Sequence, residues 1–211
     1  MATKNMLPEH LKVTELDKEV IQKIFETAFK IHSEHPFDVA HDWQHHQAVA
    51  LNGLEIIDEE GLWNSIDIPI FLAASLFHDL ERGSKTHTLA LTELKKIGFS
   101  EDSLKNVADL INQHSFGDKQ IDLSGKILWA ADKIEYVSKE RFIVSVDKLS
   151  KAKMAYYGKL WNSRIEAVSQ RFDTINLPFA KEKFFSKFNE LRKYIENERP
   201  EYKSWLKDLS F

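Results

Sequence analysis

Cysteine is absent from the 211 residues. That inventory excludes disulfides, thiolate-held zinc, iron–sulfur clusters and a cysteine nucleophile, so any metal has to be held by nitrogen and oxygen. Only seven glycines and five prolines punctuate the chain. No alternating apolar and polar runs joined by hairpin turns occur, which leaves helices as the dominant element. No apolar run approaches the ~18 residues of a membrane span, and the N-terminal MATKNMLPEHLKVTELDKE lacks the apolar stretch of a signal peptide. A cytoplasmic protein with no membrane partner is therefore expected. Strong charge of one sign is missing too: the net charge is −4, with an acidic excess in residues 1–150 and a basic one in residues 151–211. An acidic body argues against duplex nucleic acid, whereas a small phosphorylated ligand needs only a local cationic pocket.

What is present is hydrophobic content of 43%, arranged at helical intervals, enough to bury a sizeable core. The expectation is an all-α bundle over residues 1–150, with residues 151–211 as a C-terminal helical extension packed on it. Apolar residues from Leu16 to Ile31 predict a helix over 15–34. Asp42 suits the N-cap of a second helix running to about Glu60, with Gly61 at its end. Asp67 and Pro69 open a third, IPIFLAASLFHDL, apolar almost all round and so central. A fourth is expected over about 84–97, and a fifth from Ser100 to about His114. Ser124 is read as preceding a sixth, GKILWAADKIEYV. Further amphipathic helices follow to about 208, interrupted near Pro178 and Pro200.

Three places in this pattern carry chemistry. His78 and Asp79 stand in the last turn of the apolar third helix, where Asp opposes the helix dipole and both groups need a partner if buried. HDWQHHQAV at 41–49 puts His41 and His45 four residues apart, on one face if both are helical; His46 is read there as a solvent-facing or capping residue. Asp132 sits in the most apolar stretch of its helix, where carboxylates are rarely unpaired; a salt bridge to Lys126, Lys133 or Arg141 is the alternative to a cation. His45, His78, Asp79 and Asp132 together make a nitrogen and oxygen set suited to a divalent transition metal, Mn, Fe, Zn, Co or Ni.

The order His…His-Asp…Asp resembles the HD superfamily, whose members carry this set on a bundle of about five helices. The likeness runs from about residue 41 to 141. HDWQHHQAV and LFHDLERG resemble motifs of small nucleotide-pyrophosphate-cleaving members, while INQHSFG and ILWAADKIE are similar to segments of bacterial symmetrical diadenosine-tetraphosphate hydrolases. The resemblance implies a phosphohydrolase that cleaves a phosphoester or phosphoanhydride bond of a nucleotide-like substrate by attack of a metal-bound water. It also implies a second ion, with Asp79 bridging and His87 and His114 as further ligands, though His87 follows Asp79 more closely than in those hydrolases. Arg82, Lys85 and Lys133 are the candidate cations for phosphate and leaving-group charge. Glu81 and His41 are near enough in sequence to assist proton transfer. Two other functions fit the same residues: a mixed-valent di-iron oxygenase, disfavoured because no tyrosine precedes Tyr136, and a non-catalytic nucleotide-binding module. A homodimer is compatible with all three.

Overall fold

The computed structural model describes residues 15–34, 41–81 and 86–206. Among these there is no strand; nine α-helices are followed by one 3-10 segment. They are α1 (Glu15–Glu34), α2 (Trp43–Glu59), α3 (Ile68–Phe77), α4 (Thr88–Lys96), α5 (Glu101–Ile111), α6 (Leu123–Tyr136), α7 (Lys139–Lys148), α8 (Lys151–Ile175) and α9 (Pro178–Glu198), then Pro200–Leu206. No described helix is long and apolar enough to cross a membrane.

The starts of most helices follow from side chains that replace missing backbone acceptors. Asp42 caps α2 by accepting from the His45 amide, Asp67 caps α3 from Ile70, and Ser100 caps α5 from Ser103. The sixth helix begins slightly earlier than its periodicity suggests, because Asp122 rather than Ser124 precedes it as the cap, accepting from the Gly125 amide at 2.8 Å. The fourth begins later than expected, at Thr88. His87 takes a left-handed conformation, φ 48°, which no helix continues through. In place of a local cap, the Glu81 carboxylate accepts from the Leu89 and Ala90 amides at 2.8 and 3.3 Å.

The third and fifth helices stop earlier than their apolar pattern, for one shared reason. In α3 the Ser75 carbonyl accepts from His78 Nδ1 (2.8 Å) and the Leu76 carbonyl from His32 Nε2 (2.9 Å), so Leu80 N turns to Phe77 O instead. In α5 the Ile111 carbonyl accepts from His114 Nδ1 at 2.5 Å. Imidazoles thus take carbonyls that the next helical amides would have used.

At the centre lies α6, buried along almost its whole length and packed against α2 on one side and α9 on another. One continuous hydrophobic core joins α1 to the 3-10 segment, including Phe184, Phe188, Leu191 and Ile195 of α9. Two glycines set critical approaches. A Cβ on Gly53 of α2 would lie 2.3 Å from Phe71 Cζ of α3, and one on Gly125 of α6 would lie 2.1 Å from Gln113 Oε1 at the end of α5. The first brings α2 onto α3. The second lets Gln113 accept from Ile121 N at 2.6 Å and donate to Asp122 at 3.0 Å, tying the end of α5 to the start of α6.

Candidate metal centre

The start of α2, the end of α3, the turn after α5 and the middle of α6 meet at the floor of one cavity of about 450 Å³. His45 Nε2 and His78 Nε2 face each other at 3.2 Å. The Ser75 carbonyl fixes the His78 proton on Nδ1, which leaves the Nε2 lone pair directed at His45. A proton or a cation between the rings is what allows two Nε2 atoms so close. Asp79 Oδ2 lies 3.8 Å from His78 Nε2, and Asp132 Oδ1 lies 3.8 Å from His45 Nε2 and 3.9 Å from His78 Nε2. Donors about 2.1 Å from a common ion stand about 3.0–3.4 Å apart at octahedral to tetrahedral angles, so small movements would close the set. His45, His78 and Asp79, with all three donor atoms within 4.8 Å of one another, form a group that could hold a metal ion. Asp132 lies outside that group: it adjoins both histidines and is paired with Lys133, one of the partners expected in place of a cation.

Burial and charge prepare these groups as ligands. His45 is held well below the usual imidazole value by burial, with Arg141 and the neighbouring histidines adding to the effect. Burial also pushes His78 down to about 4, despite Asp79. Both rings are therefore neutral and free to donate a lone pair. Burial alone would raise both carboxyls. At Asp79 it is outweighed by the hydrogen bond from His114 and the charges of His78 and His41; at Asp132 it is outweighed by Lys133 and His78. Both stay ionised below the usual carboxylate value.

The surroundings of Asp79 extend the site. His114 Nε2 lies 3.4 Å from Asp79 Oδ1 and His41 Nε2 3.4 Å from Asp79 Oδ2, so the carboxylate sits between two imidazoles. Despite burial, His114 has a raised pKa because of that contact with Asp79. His87 lines the same cavity, but its Nε2 is engaged with Asn112 Oδ1 at 3.1 Å. The structure thus brings His114 to Asp79 and leaves His87 on Asn112. Lys133 is no surface cation: at 1% exposure it binds Asp132 and the His114 carbonyl (3.1 Å) and lies 4.0 Å over the Phe116 ring. Arg82 and Lys85 fall outside the described residues. Glu81, although it lines the cavity, is occupied in holding the start of α4.

Sequence reasoning passed over Glu135 and misread the burial of His46. Glu135 Oε2 lies 2.9 Å from His45 Nδ1, and Arg141 Nε lies 3.6 Å from the same oxygen. A carboxylate behind a ligating imidazole orients the ring and raises its basicity. Burial pushes the Glu135 carboxyl up to about 8, with Arg141 opposing. The signal was its position, three residues after Asp132 on the same helix. His46, expected at the surface or on a cap, does bond the Asp42 carbonyl at 2.9 Å, yet it is fully buried. Its ring centroid is 4.1 Å from that of His32 and 4.8 Å from that of His78, and its Nε2 has no hydrogen-bond partner among the described residues.

The cavity is also lined from α8, by Met154, Tyr157, Trp161 and Arg164, and from the 3-10 segment, by Trp205. No protein-family model and no curated protein matches this chain. Its fold is similar to that of a structural-genomics crystal structure from Lactobacillus plantarum, with a TM-score of 0.64 at 16% sequence identity, covering 90% of this chain and 98% of that one. At that identity the likeness is one of all-helical fold alone.

Proposed function

We propose that this protein is a metal-dependent phosphohydrolase of the HD type, acting on a small, nucleotide-like phosphorylated substrate. The observation that carries the reading is the convergence of His45 Nε2 and His78 Nε2, 3.2 Å apart, with the ionised Asp79 and Asp132 at the floor of a cavity large enough for such a substrate. His45, His78, Asp79 and Asp132 would hold the cation. A divalent ion there supplies the Lewis acidity that activates water and offsets phosphoryl charge.

The chain's own residues divide the remaining work. Glu135 fixes the His45 ring through Nδ1, and the Ser75 carbonyl does the same for His78. His41 and His114, one on each oxygen of Asp79, orient that carboxylate. Lys133, buried beside Asp132, places a positive charge at the cavity floor where charge develops on a leaving oxygen. The aromatic residues lining the cavity limit the access of bulk water and strengthen every charge interaction inside.

The test is a screen of metal-reconstituted protein against a panel of phosphorylated metabolites, with identification of the products. Release of phosphate or pyrophosphate from a definable group of compounds is expected, and Asp79→Ala should lose both metal retention and turnover. Failure to cleave any member with Mn, Fe, Co, Ni or Zn would overturn the reading.

A further inference from the structure

Among the described residues, three arginine or lysine side chains line the cavity, and their partners differ. Lys133 is paired with Asp132, and Arg141 faces Glu135. Arg164, on α8, lines the same cavity, where it faces the Tyr136 hydroxyl and has no carboxylate partner among the described residues. Its guanidinium lies 5.1 Å over the Phe116 ring, the ring that also carries Lys133 at 4.0 Å. That ring is braced: Tyr136 meets it edge-on at 5.2 Å and itself stacks on Trp161 at 5.1 Å. A cation on an aromatic face is positioned without being neutralised. A planar guanidinium offers paired donors to an anionic oxygen pair.

We propose that Arg164 is a substrate-binding residue that takes a second anionic group, separate from the phosphoryl group held at the His and Asp cluster. The ligand class is then a compound with two linked anionic groups, such as a phosphoanhydride, in preference to a simple monoester. This deepens the phosphohydrolase reading and rests on it for the seat of the first anionic group, while binding of the second is read without turnover. It gives residues 151–211 a part in recognition. Arg164 would add a cation from α8 to those expected at Arg82 and Lys85, which lie outside the described residues.

Two non-hydrolysable probes test it: methylphosphonate, with one anionic group, and phosphonoacetate, with a phosphonate and a carboxylate. Calorimetric titration of metal-loaded protein should show phosphonoacetate binding about tenfold more tightly, the scale of one charge-assisted pair of hydrogen bonds. Arg164→Gln should remove most of that gain, and Arg164→Lys, which keeps the charge and loses the fork, should retain part of it. Melting curves of both variants confirm that they are folded. Equal affinity of the wild type for the two probes would overturn the proposal, and so would an Arg164→Gln variant that weakens both probes by the same factor. Because neither probe is cleaved, a failure of hydrolysis on the metabolite panel leaves this result independent.

Discussion

His78 and His114 are held in the same way: each donates from Nδ1 to the carbonyl three residues earlier, Ser75 and Ile111, and each brings Nε2 within 4 Å of Asp79, that of His78 lying nearer still to His45. Their ring centroids are 4.8 Å apart. Two helix ends are thereby used twice, once to satisfy terminal carbonyls and once to aim imidazole nitrogens at one carboxylate. The site therefore depends on where α3 and α5 stop.

The hydrogen bond from His45 to Glu135 should matter to metal affinity more than to folding. Removing a carboxylate that orients a ligating histidine typically weakens metal binding about 10–100-fold. Glu135→Gln is accordingly expected to bind manganese or zinc at least about tenfold more weakly, while a cooperative melting curve without metal shows that it stays folded. Calorimetric titration and a melting curve on the same sample decide it; unchanged affinity would show that Glu135 serves Arg141 alone.

Periodicity and capping residues made most helices legible, because Asp42, Asp67 and Ser100 act through contacts within their own turn. Asp122 caps α6 through the same kind of local contact, to the Gly125 amide, and was missed because Ser124 offered a competing cap two residues later. The role of α8 was not legible. Its apolar residues read as an ordinary amphipathic face, and only tertiary packing turns Trp161 and Arg164 toward the cavity. The motif order pointed to His45, His78, Asp79 and Asp132 because chemistry restricts the residue types. His87 could not be placed, because its left-handed backbone and its bond to Asn112 leave no periodic trace.

Gly53 offers a test that links packing to the site. A methyl group there meets the Phe71 ring at 2.3 Å, so α2 and α3 must separate or the ring must leave its place. Overpacking of this kind costs about 1–3 kcal/mol. Since α2 carries His45 and α3 ends at His78, Gly53→Ala should also loosen metal binding. Urea unfolding and metal titration should both shift. A loss of stability with metal affinity intact would mean that the two histidines do not depend on this contact.

The metal-free protein is expected to be most stable near pH 6.5. His32, His45, His46 and His78 are held below the ordinary 6.5 by burial. As pH falls from 6.5, the unfolded chain takes up protons that the folded one refuses, and stability declines. Glu135 opposes this with a single proton, because burial raises it to about 8 from an unfolded 4.5. Above 6.5 the sign reverses. Glu135 and His114, the latter raised by Asp79 against its burial, keep protons that the unfolded chain has released, so stability falls as pH rises toward about 8. Urea midpoints of chelator-treated protein at about pH 5, 6.5 and 8 should pass through a maximum; a steady trend in one direction would contradict the balance.

Metal count turns on Asp79, whose Oδ2 faces His78 and His41 and whose Oδ1 faces His114. If Asp79 bridges two ions about 3.5–4 Å apart, the spacing of two-metal hydrolytic sites, His114 Nε2 is the described nitrogen placed for the second. His114→Ala should then lower the metal content of protein loaded with manganese or iron from near two ions per chain to near one. If there is one ion, His114 remains the hydrogen-bonded partner of Asp79, and the variant keeps its metal while losing activity. His87, engaged with Asn112, should leave stoichiometry unchanged when replaced by Ala, which separates it from His114. Elemental analysis of the three proteins, loaded and desalted together, reads all of this directly. One ion per chain in both the native protein and His114→Ala, with catalysis lost only in the variant, would remove the two-metal arrangement and leave the His45, His78 and Asp79 group, with Asp132, as a mononuclear centre.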